Sequence, residues 1–159
     1  MRLVKITEKI IVNESSSIVF DYTQDYKNRL AWDTFLKKAE LMDGAVKADK
    51  SVKAYCVARN GFGMVTEYIT FSRPTVTAVR MTKGPYFFKS FLGSWNFREL
   101  SSKMTEVTFL YSFGLRFPFN LLGYFIKRNL QKNVRQRLID LKKSVEKPSG
   151  YKEGYHNEG

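Results

Sequence analysis

The sequence predicts an α+β fold in which one large antiparallel sheet is covered by a single long C-terminal helix. Two observations carry that expectation. Between Phe117 and about Lys147, the residues Leu122, Ile126, Leu130, Val134, Leu138, Leu141 and Val145 recur three or four apart, lining one stripe of a helix. Ahead of that segment, seven shorter stretches alternate or cluster apolar residues as strands do. The helix must bury its stripe on the sheet, and a curved sheet around one helix tends to leave space between the two.

The elements follow in order. A first strand spans 3–12, with Val4, Ile6, Ile10 and Val12 among alternating charges. Ser15, Ser16 and Ser17 offer N-caps to a short helix ending near Thr23, and a second short helix covers about 26–35. Strands are expected at about 38–43, 51–59 and 62–72, the last two joined by Asn60-Gly61, a strong hairpin signal. Another strand runs at 75–82, after Arg73-Pro74. Two long ones follow at 87–100 and 103–115. The first of these places Phe91, Gly93, Trp95 and Phe97 on one face, with Gly93 marking an expected bulge or bend. Its partner places Val107, Phe109, Tyr111 and Phe113 on one face, so the pair forms an aromatic wall.

At 159 residues the chain fits one domain, expected over 1–147, with 148–159 as a flexible tail that has no aliphatic residue after Pro148. The N-terminus has no continuous apolar run, so neither a signal peptide nor a membrane anchor is expected, and a cytoplasmic location follows as the default. The net charge is +12, and about half of it falls between 118 and 147, where eight Lys or Arg face Asp140 and Glu146. Such a face is either simply solvated or drawn to an anionic membrane surface or to RNA.

Particular residues then carry a resemblance. Ser16-Ser17-Ile18-Val19-Phe20-Asp21-Tyr22, Asp25-Tyr26-Lys27-Asn28, Ala31-Trp32-Asp33, and the late pair Trp95–Leu100 and Thr105–Phe109 resemble the helix-grip (SRPBCC, START-like) superfamily. Within it, the chain resembles the polyketide cyclase/dehydrase-like (coenzyme Q-binding-like) branch, over roughly 1–147. The resemblance implies a helix-grip fold: a seven-stranded curved antiparallel sheet around a long C-terminal helix, with two short helices after strand 1. It also implies a cavity between helix and sheet, in a superfamily that binds lipids, sterols, quinones or polyketides and includes a minority of enzymes.

Direct signs of catalysis are sparse. GxGxxG, Walker, GxSxG and HExxH motifs are absent, no cofactor or metal is expected, and no catalytic residue is assigned. The single histidine, His156, falls in the tail, and the single cysteine, Cys56, reads as a buried, inert thiol. Glu67 reads as a solvent-facing carboxylate on the convex face, the alternative being an inward position paired with Arg80, while Asp25 and Asp33 read as residues that cap or orient the short helices.

Binding rests on the aromatics. Trp32, Phe35, Phe91, Trp95, Phe97, Phe109, Tyr111 and Phe113, with Tyr68, Met81, Leu122 and Ile126, are the expected ligand-binding residues. The same rings serve equally well to fill an interior, because alternation tells which face is buried and not whether the space is full. Phe119 and Tyr124, off the main stripe, are expected to pack on the short helices around Trp32, a mobile gate or lipid contact being the alternative. The expected function is a carrier or sensor of a hydrophobic small molecule (lipid, quinone, sterol or polyketide-like). The alternatives are a polyketide cyclase/dehydratase-type enzyme or a basic binder of ribosome, RNA or membrane.

Overall fold

The computed structural model describes residues 2–147, so the tail and His156 lie outside the described residues. Its elements are β1 (Val4–Val12), α1 (Ser16–Gln24), α2 (Arg29–Trp32), β2 (Leu36–Leu41), β3 (Lys53–Ala58), β4 (Gly63–Ser72), β5 (Val76–Lys83), β6 (Phe88–Ser101), β7 (Met104–Leu115), a 3-10 turn (Phe119–Leu122) and α3 (Gly123–Glu146). All seven strands join one antiparallel sheet in the order β1-β7-β6-β5-β4-β3-β2. The sheet curls, and α1, α2 and the C-terminal half of α3 close its concave face.

Local chemistry sets the boundaries. Ser15 caps α1 by accepting from the Ile18 amide at 3.4 Å. The second helix is one turn long, shorter than the expected 26–35, because Asp25 draws the Lys27 amide and the Asn28 side chain into a local turn that competes with helix. The hairpin at Asn60-Gly61 forms around Gly61 at φ +98, where a side chain would be strained. Gly93 is no bulge: its pairing to Tyr111 and Val79 is regular, and a Cβ there would meet the Tyr111 ring at 3.2 Å. Glycine at 93 therefore makes room for that ring.

The core is aromatic on the sheet side. Phe97 lies edge-on to Phe20 at 5.3 Å, Trp32 edge-on to Trp95 at 6.2 Å, and Phe113 against Phe88 at 5.4 Å. From α3, Val134, Leu138, Leu141 and Val145 are buried on this surface. Polar ties hold the same half of the helix. Asn13 donates its amide to Glu146, Lys142 reaches the Ile11 carbonyl, and Tyr22 hydrogen-bonds Ser144.

The other half behaves differently. Leu122 is exposed, and Ile126 and Leu130 are only half-buried. The chain also enters helix later than Phe117, since Phe117 and Pro118 precede a 3-10 turn closed by a Leu121 amide to Pro118 carbonyl bond. No helix among the described residues is long and apolar enough to cross a membrane.

Candidate functional site: an apolar cavity with a charged closed end

Where the N-terminal half of α3 stands off the sheet, a cavity of about 600 Å³ opens between them. That volume lies within the roughly 300–1,000 Å³ common for small-molecule pockets. Its walls come from β3 through β7, its near side from Leu122, Phe125, Ile126 and Leu130, and its closed end from Gln24, Tyr26, Arg29 and Arg137. From Phe125 to Arg137 the helix rises roughly 18 Å at 1.5 Å per residue, so the pocket is long as well as apolar.

Three segments frame the mouth: the β3–β4 hairpin, the β5–β6 connection and the β7–α3 connection. Phe62 of the first packs on Phe87 of the second at 5.2 Å, and Phe87 packs on Phe119 of the third at 5.8 Å. Beyond them the surface stays apolar, with Phe117 76 %, Leu121 72 %, Tyr124 69 % and Phe125 67 % exposed. Residues 58–64, 83–88 and 115–132 contain no Asp or Glu, but do contain Arg59, Lys83, Arg116, Lys127, Arg128 and Lys132. Phe119 and Tyr124 therefore do not pack around Trp32; the segment faces the β5–β6 connection instead.

The closed end is polar and tightly bonded. Asp33, fully buried, accepts from Arg29 Nε at 2.8 Å and from Arg137 Nε and Nη2 at 3.0 and 2.9 Å. Burial pushes the Asp33 carboxyl up, yet Arg137 and then Arg29 outweigh it and hold it below the ordinary carboxylate range. Both guanidiniums stay charged: burial disfavours the charge, but Asp33 more than restores it. Tyr68 donates to Gln24 Oε1 at 2.6 Å, and its own oxygen receives the Tyr26 hydroxyl at 3.0 Å. Burial is the first cause raising both phenols and the Cys56 thiol, so all three remain protonated.

Of the residues expected to bind ligand, Phe35, Tyr68, Phe91, Trp95, Phe109, Tyr111, Leu122 and Ile126 line the cavity. Trp32, Phe97 and Phe113 lie in the packed core instead, because their rings are enclosed by neighbouring aromatics; Met81 folds over Gly84. Glu67 pairs across strands with Arg80 at 3.7 Å on the convex face, as Thr66 and Tyr68 take the inward positions. Cys56 is half-buried and lines the cavity, rather than being sealed in the sheet.

Arg29 and Arg137 are the charged lining residues that the sequence alone does not single out. Arg137 falls within the basic segment expected to be solvated or to meet a membrane surface or RNA, but it is buried, while Arg135 pairs with Glu8 at 2.8 Å and Lys142 with Glu146 at 2.7 Å. A signal existed: Arg137 sits three residues after Val134 and four before Leu141, within the apolar stripe, and Arg29 and Asp33 stand four apart.

A curled antiparallel sheet gripping one C-terminal helix, with a cavity between them, defines the α+β helix-grip fold. Residues 4–146 match the polyketide cyclase/dehydrase and lipid transport family, and the chain belongs to it. No curated protein matches the chain significantly. Among solved structures, a protein of Thermus thermophilus superposes with a TM-score of 0.77 at 16 % identity, covering 92 % of this chain and all 100 % of its own. A START superfamily protein of Mycobacterium smegmatis gives 0.76 at 11 % identity, covering 89 % and 97 %. The Zhui aromatase/cyclase from Streptomyces gives 0.70 at 14 % identity, covering 94 % and 99 %. At these identities the likeness is one of fold alone.

Proposed function

We propose that the protein is a carrier of a hydrophobic small molecule, of lipid, quinone, sterol or polyketide-like class, which it exchanges with an anionic membrane through the open mouth of the cavity. The observation that carries this reading is the mouth itself: an exposed apolar rim continuous with the cavity lining and set in a collar that is basic and free of acid. Such a surface inserts rings and aliphatic chains at a lipid interface while its cations meet anionic headgroups. The lining supports carriage over turnover, since among the described residues it has no carboxylate, histidine or lysine, and burial holds the Tyr26 and Tyr68 phenols and the Cys56 thiol protonated.

Flotation with vesicles of phosphatidylcholine plus phosphatidylglycerol tests the proposal, together with native mass spectrometry of protein purified from its own source. Retention at low salt that fades as salt screens the charges, and a bound lipophile in the spectrum, are expected. Absence of both would contradict the proposal, and retention on RNA but not on vesicles would replace it with macromolecular binding.

A further inference from the structure

We infer that the closed end of the cavity selects a carboxylate, so that the ligand is a monoanionic amphiphile with its acid head against Arg29 and Tyr111 and its apolar body reaching toward the mouth. This deepens the carrier reading and rests on it. Charge is the first ground. Two guanidiniums, Arg29 and Arg137, share one carboxylate, Asp33, and the side chains are only 8 %, 6 % and 0 % exposed. The cluster therefore holds one unmatched positive charge away from water, an arrangement that an anion brought by the ligand would neutralise. A phosphate monoester, with charge approaching −2, would overshoot that balance.

Hydrogen bonding is the second ground. Arg137 commits Nε and Nη2 to Asp33 and Nη1 to the Tyr111 hydroxyl. Arg29 gives Nε to Asp33 and Nη1 to the Thr23 carbonyl at 2.9 Å. Among the described residues its Nη2 has no hydrogen-bond partner, although Arg29 lines the cavity. Tyr111 accepts from Arg137 and so keeps its own O–H for a further acceptor. The Tyr26 and Tyr68 protons are already used in the relay to Gln24. What the closed end still offers is donors, one of them cationic, and a planar carboxylate takes charge-assisted N–H···O bonds well.

Titration with dansylaminoundecanoic acid and with its methyl ester tests this, read as energy transfer from Trp32 and Trp95 to the dansyl group. The acid should bind about tenfold tighter or more, the scale of a charge-assisted hydrogen bond. A quaternary ammonium analogue should bind more weakly than the ester. Arg29→Gln should remove the preference for the acid, and Arg29→Lys should keep part of it. If the native protein binds ester and acid alike, the inference is overturned and the carrier reading stands. If it binds neither acid nor ester, both fall.

Discussion

The two halves of α3 carry the same apolar period and meet opposite surroundings. Val134, Leu138, Leu141 and Val145 are sealed against the sheet and α1, and the backbone at the end of β1 and just after it is tied to the helix by Lys142 and Glu146. Leu122, Ile126 and Leu130 continue the stripe toward the N-terminus, but the wall opposite them is an open cavity. One half thus stabilises the fold, and the other leaves apolar surface for a ligand. The exposed rings next to it would be a liability unless something apolar meets them.

The largest effect should come from the charged cluster that separates the halves. Asp33→Ala leaves two buried guanidiniums without their anion and should cost about 3–5 kcal/mol by denaturant unfolding. Acid should act through the same group. Asp33 is held below its unfolded value of about 3.9, so its stabilisation is complete above that pH and drains as pH falls through the lower folded value. Melting temperatures below pH 4 should therefore fall less steeply for Asp33→Asn than for the native chain.

Next in size is the direct contrast between halves. Leu141→Ala should cost about 2–5 kcal/mol, as for a sealed core leucine, whereas Ile126→Ala should cost less than about 1 kcal/mol because cavity space already adjoins it. Equal losses would mean that the stripe is uniformly packed and the cavity closed in solution. Glu8 accepts from both Gln131 and Arg135 at the junction. Its replacement by Gln should cost about 1 kcal/mol, because Arg135 at the other end of the pair is largely exposed to solvent. Smallest of all in stability, Leu121→Ser should change unfolding by no more than about 0.5 kcal/mol, yet weaken flotation with anionic vesicles.

Most of the architecture is legible in the sequence because strand and helix periods are local properties. The aromatic alternation of β6 and β7 and the spacing of the α3 stripe are enough to pair those two strands and place the helix on the sheet. Less legible are features that depend on distant partners. Arg137 resembles one more solvated cation until the fold brings Asp33 to it from the end of α2. Phe97 and Trp95 share one strand face, yet Phe20 covers the first while the second lines the cavity. Whether a buried face is filled depends on the summed volumes of several elements, and no alternation within one strand records that sum.

Amide hydrogen exchange along α3, with and without phosphatidylcholine–phosphatidylglycerol vesicles, tests the division of the helix most directly. Strong protection is expected over 134–145 in both conditions, with weaker protection over 119–130 that rises when vesicles are present. Uniform protection along the whole helix in the free protein, unchanged by vesicles, would contradict it.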